Sequence, residues 1–89
     1  MNSLHLIISG RVQGVAFRAH TQKKAIEMGI TGWVKNLPDG SVEVMSYGPK
    51  NILEKFLAWC HQGPPAARVN EVISEWELNQ NPDEGFLIK

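Results

Sequence analysis

Apolar residues at positions 4, 6, 7 and 8, interrupted by His5 and closed by Ser9, predict a mostly buried strand over Leu4–Ser9. Over residues 18–28 the spacing changes to that of a helix. Ala25, Ile26 and Met28 are its core-facing candidates, and Gly29 stands where a helix stops. Thr31 to Leu37 reads as a second strand, with β-branched and aromatic side chains at Thr31, Trp33 and Val34. Pro38-Asp39-Gly40 supplies a tight turn into a third strand over Ser41–Tyr47. There Val42 and Val44 alternate with Glu43 and Met45. Pro49 suits a first helical position. Ile52, Leu53, Phe56, Leu57, Trp59 and Cys60 then keep the three-four spacing of a core-facing helix, which Gly63-Pro64-Pro65 ends. Val69, Val72, Ile73, Trp76 and Leu78 mark another extended segment. Asn81-Pro82-Asp83-Glu84-Gly85 predicts a turn before a short last strand, Phe86-Leu87-Ile88.

Strand, helix, two strands, helix, strand is the order of an α+β, ferredoxin-like βαββαβ sandwich, an antiparallel sheet with two helices packed on one face. The 89 residues suffice for a single domain, 1–89, with a modest core. No apolar run approaches the roughly 20 residues that span a bilayer, and no basic segment followed by an apolar stretch marks a secretory signal. One cysteine, Cys60, excludes an internal disulfide framework and fits a reducing compartment. The expectation is a cytoplasmic monomer with no membrane partner.

Charge changes that picture locally. Residues 1–38 carry Arg11, Arg18, Lys23, Lys24 and Lys35 against Glu27 alone, whereas the remainder carries four basic residues against eight acidic ones, for a net charge of zero. Within the basic half lies Gly10-Arg11-Val12-Gln13-Gly14-Val15-Ala16-Phe17-Arg18. A glycine-permitted loop between a strand and a helix turns backbone N–H groups toward one point and makes an anion cradle. Arg18 stands at the helix entrance, where its planar fork can grip two oxygens of a phosphate or carboxylate. A small anion is the expected ligand. The loop is not a Walker sequence, because no Lys-Ser/Thr follows Gly14. A broad basic face and the aromatic signature of RNA-binding strands are both missing, so no nucleic-acid partner is expected.

These residues resemble the acylphosphatase family. The resemblance runs through Gly10-Arg11-Val12-Gln13-Gly14-Val15 with Phe17-Arg18, Thr21-Gln22, Gly32-Trp33-Val34-Lys35-Asn36, Asp39-Gly40-Ser41-Val42-Glu43-Val44, Gly63-Pro64-Pro65 and Phe86-Leu87-Ile88. The blocks keep family order over nearly the whole chain. Ala16 falls where the family varies, and Lys35 replaces a frequent arginine. The resemblance implies a ferredoxin-like fold and hydrolysis of acyl phosphates to a carboxylate and inorganic phosphate, with no metal and no organic cofactor. It implies that the phosphate is held by the backbone of Gln13, Gly14, Val15, Ala16, Phe17 and Arg18 and by the Arg18 side chain. Asn36 would position the attacking water.

The chemistry is compatible with those roles. An amide has no useful basicity, so Asn36 can orient a water through its carbonyl oxygen but cannot take its proton. The proton then goes to a substrate phosphate oxygen or to solvent. Thr21, one turn into the helix, is a candidate to support the loop through its hydroxyl, and His20 to tune the site. His5, His20 and His61 show no shared metal spacing, and Cys60 falls on the apolar face of its helix, as a buried structural cysteine. Trp33, Trp59 and Trp76 read as packing residues. The alternative on the same fold is a non-catalytic anion-binding accessory module that keeps the cradle without turnover.

Overall fold

The computed structural model describes residues 2–78 and 84–89, in the order β1 (Asn2–Arg11), α1 (Phe17–Glu27), β2 (Thr31–Asn36), β3 (Val42–Gly48), α2 (Lys50–Gln62), β4 (Arg68–Leu78) and β5 (Phe86–Ile88). The sheet order is β4-β1-β3-β2-β5. β1 pairs antiparallel with β3 and with β4, and β2 pairs antiparallel with β3. The expected ferredoxin-like arrangement is therefore present. One departure is that β5 pairs parallel with β2, Trp33 facing Leu87, which makes the sheet mixed. The predicted turn over 81–85 lies outside the described residues up to Asp83. Gly85, at φ 81, is described, and its carbonyl accepts from Gly32 N–H at 3.0 Å.

Alternation along the strands divides the sheet into two faces. Leu4, Leu6 and Ile8 of β1 and Val42 and Val44 of β3 are fully buried, and they form one core with Val34, Leu53, Phe56 and Cys60. Burial pushes the Cys60 thiol up, well beyond the ordinary thiol range, so it behaves as a small apolar side chain. On the opposite face the His5 ring meets Glu43 Oε2 at 2.7 Å and Lys35 Nζ lies 3.5 Å from the same carboxylate. The His5 bond is the main reason the Glu43 carboxyl sits below its ordinary value.

Where expectation and structure differ, neighbouring contacts decide. In α1 the buried positions are Phe17, Thr21 and Ala25, a four-residue repeat that points Ile26 outward at 60% exposure. Pro49 is the cap of α2 rather than its first turn: its ψ of 143 is extended, and its carbonyl accepts from Ile52 and Leu53 N–H at 3.1 and 3.0 Å. Trp59 packs between Phe17 and Phe56, with ring centroids 6.0 and 6.4 Å away. Trp76 instead lies on exposed β4 with Lys50 Nζ 6.0 Å from its ring, and Trp33 lies on the open face beneath Lys35 and Lys89. β4 is an edge strand, and Glu71, Ile73, Glu75 and Glu77 follow one another along its open face, opposite Ser9, Ile7, His5 and Ser3.

The β2–β3 pairing is tightest at Gly32. Its φ is 137, and an added Cβ would stand 1.9 Å from the Met45 carbonyl oxygen. Gly32→Ala combines forbidden backbone conformation with collision against backbone, and is expected to cost at least about 2 kcal/mol. A urea titration should show a lower midpoint with an unchanged slope.

Candidate active site

β1 and β2 run in the same direction with β3 between them, so the loop leaving β1 and the residue ending β2 emerge at one end of the sheet. The loop is anchored at both ends by Val12 and Phe17, each 1% exposed. Between these anchors the chain turns through Gly14 at φ 76 and Ala16 at φ 59, two left-handed residues. Among the described residues, the N–H groups of Gly14, Val15 and Ala16 donate to no backbone carbonyl. Ala16 caps α1 without a side-chain bond, and the first turn holds no acidic residue. The amides of Phe17, Arg18 and Ala19, which lack intrahelical acceptors by position, are left without a carboxylate to occupy them. Gly14, the cap residue Ala16 and the first turn of α1 line a cavity of about 200 Å³ at the positive end of the helix dipole.

That cavity brings Gln13, Gly14, Ala16, Phe17, Arg18 and Asn36 together. Arg18 is half-buried and makes no ion pair among the described residues. Asn36 is the last paired residue of β2, opposite Val42. Its Oδ1 is buried and has no hydrogen-bond partner among the described residues. A buried acceptor left unmet costs about 1–3 kcal/mol, a cost that a donor brought by a ligand or water would remove. Val15, half-buried against the core, is the one loop residue of the predicted cradle that does not line the cavity.

The two support candidates lie elsewhere. The Thr21 hydroxyl is fully buried and donates to the carbonyl of Phe17, a residue of the predicted cradle one helical turn back, at 2.7 Å. His20 is exposed and lines a larger cleft of about 550 Å³ with Trp59, Gln62, Pro64 and Pro65. Two features had no sequence signal of their own. Ile88 of β5 lines the cavity wall. The Gln13 side chain reaches across to the β2–β3 turn, where its Nε2 donates to the carbonyls of Leu37 and Ser41, each at 2.8 Å. Among the described residues, no group of three His, Cys, Asp or Glu side chains could hold a metal ion. No described helix is long and apolar enough to cross a membrane.

Ala16 and the turn each carry a testable consequence. An L-residue in the left-handed region pays about 1–2 kcal/mol, and a β-branched one fits it worst. Ala16→Val should therefore raise the inhibition constant of inorganic phosphate several-fold, while Ala16→Gly leaves it near wild type. In the turn, bonds from the Ser41 hydroxyl and then the Ser41 amide hold the Asp39 carboxyl below its ordinary value. A carboxyl lowered by folding adds stability above its unfolded value and loses it as pH falls through the folded one. Denaturant midpoints should fall between about pH 5 and about pH 3, and fall less in Asp39→Asn.

Comparison with known proteins gives a consistent result. The acylphosphatase family model matches residues 4–88. The acylphosphatase of Pelotomaculum thermopropionicum is 45% identical over 84 residues, covering 94% of this chain and 91% of that protein. The acylphosphatase of Trichormus variabilis is 51% identical over 86 residues, covering 97% and 84%. Among solved structures, the crystal structure of acylphosphatase from Bacillus subtilis superposes with a TM-score of 0.96 at 35% identity, covering 100% of this chain and 99% of that one.

Proposed function

This chain belongs to the acylphosphatase family and hydrolyses acyl phosphates, and we propose that it does so with Arg18 and Asn36 as its catalytic pair. The phosphate sits in the amides of residues 13–18, and the Arg18 guanidinium adds two charge-assisted bonds to its oxygens. Asn36 Oδ1 accepts from a water and aims that water's lone pair at phosphorus. As the new P–O bond forms, the bond from phosphorus to the acyl oxygen breaks, and the electron pair leaves on a carboxylate. The water's proton passes to a phosphate oxygen, giving inorganic phosphate.

Such a reaction asks little of side-chain acids and bases. A carboxylate leaves without protonation, and phosphoryl transfer depends mainly on positioning and on stabilising charge at the equatorial oxygens. Preorganised amides supply that stabilisation without reorganising during the step. The observation carrying this reading is the buried Oδ1 of Asn36, without a partner among the described residues, on a residue that lines the same cavity as Arg18 and the open helix end. Binding alone would not require such an acceptor. The same reading takes the chain as a metal-independent, cytoplasmic, monomeric single domain whose only partners are a small acyl phosphate and inorganic phosphate. A cavity of about 200 Å³ suits that ligand size.

The test is benzoyl phosphate hydrolysis in EDTA by wild type, Arg18→Ala, Arg18→Lys and Asn36→Ala. Loss of a preorganised donor typically costs roughly 10²–10³ in kcat, so both alanine variants should fall by about that much. Arg18→Lys should recover little, because a point charge cannot reproduce the fork. Asn36→Ala should keep its inhibition by phosphate. Near-normal turnover in that variant would remove the water-orienting role. A folded, phosphate-binding but inactive wild type would favour the accessory module.

A further inference from the structure

The loop and the hairpin that share the site belong to different parts of the chain, and one side chain spans the gap between them. Gln13 contributes its backbone to the cradle, while its Nε2 donates to Leu37 O and Ser41 O, both at 2.8 Å and 24 and 28 residues away. Those two carbonyls form the neck of the β2–β3 turn. Ser41 O also accepts from Leu37 N–H at 2.8 Å, and Leu37 O from Gly40 N–H at 3.1 Å. The turn is braced further by Asp39 Oδ1, which accepts from the Ser41 amide. The Gln13 amide therefore holds a turn that is already stiff, one residue beyond Asn36.

We infer that Gln13 is a positioning residue for the hydrolysis, setting the separation between bound phosphate and the Asn36 carbonyl oxygen; this rests on the water-orienting reading of Asn36. Phosphate registers on the loop backbone, and the water registers on Asn36 Oδ1. Neither group touches the other, so the approach of water to phosphorus is only as accurate as the join between loop and hairpin. The Gln13 side chain makes that join, and both of its N–H groups can be used on the turn. A carboxamide is the right group: two carbonyl oxygens demand a double donor. Glutamate would set a negative charge against them, and methionine would fill the space with no donor at all.

This predicts a division in the kinetics that a general loss of structure would not produce. Phosphate binding uses the Gln13 backbone, which substitution retains, whereas attack uses the geometry fixed by its side chain. Gln13→Met and Gln13→Glu should lower kcat for benzoyl phosphate by roughly 10- to 100-fold, the scale of a misplacement near 1 Å, with little change in competitive inhibition by inorganic phosphate. Gln13→Met serves as the measurement if Gln13→Glu fails to fold. In an Asn36→Ala background the same substitutions should cost almost nothing more, since there is no oriented water left to misplace.

Three results would overturn the inference. Unchanged kcat in Gln13→Met, parallel loss of kcat and phosphate inhibition, or a full additional loss in the Asn36→Ala background would each show that Gln13 does not act through Asn36. Near-normal turnover in Asn36→Ala itself would remove the water-orienting role and this inference with it. That outcome is read from a different variant, so the two failures remain separable.

Discussion

Everything in this site depends on β3 lying antiparallel between two parallel strands. Because β1 and β2 point the same way, their carboxyl ends reach the same edge of the sheet, and the crossover through α1 brings a helix N-terminus to that edge as well. The spacing between the ends of β1 and β2 is set by the width of one intervening strand, about 10 Å in all. Core packing of Leu4, Leu6, Ile8, Val42 and Val44 holds that width. Arg18 and Asn36, the proposed catalytic pair, are then carried on a helix and a strand, and the turn between β1 and α1 passes through two left-handed residues, Gly14 and Ala16.

The proposed cradle divides labour between backbone and side chain. Most of its donors are main-chain N–H groups, which makes the identity of Val15 and Ala16 secondary to their conformation. Arg18 and Asn36 are different, because each is proposed to act through its side chain, the one a guanidinium donor and the other a carboxamide oxygen. Their presentation has a stability cost. An uncapped helix start, an alanine in the left-handed region and an unmet buried carbonyl oxygen all oppose folding. Packing at Val12 and Phe17, and the Gln13 bonds across to the turn, offset them.

Much of this was legible in the residues. Alternating apolar positions located β1 and β3, the three-four spacing located α2, and the glycine loop followed by arginine marked the proposed anion site. What was hidden depended on partners distant in the chain. Ile26 and Ala25 are adjacent and both apolar, and only the rotation of α1 set by Phe17 and Thr21 buries one and exposes the other. The direction of β5 is not encoded in Phe86-Leu87-Ile88, since parallel and antiparallel edges accept the same apolar triplet. Gln13 was recognisable as a residue of the loop, yet nothing local reveals that its side chain crosses to Leu37 and Ser41. The acceptor of the Thr21 hydroxyl, the Phe17 carbonyl, is likewise fixed only once α1 has formed.

Among the described residues, β4 is an eleven-residue strand at the edge of the sheet, the kind of surface on which another chain could add a strand. Its open face alternates to place Glu71, Glu75 and Glu77 in a row around Ile73. Two copies approaching edge to edge would bring these carboxylates together, and like charges directly opposite one another disfavour pairing. The acidic excess of the second half of the chain thus acts as a colloidal safeguard, guarding the exposed border of the sheet against runaway strand addition as the protein becomes concentrated.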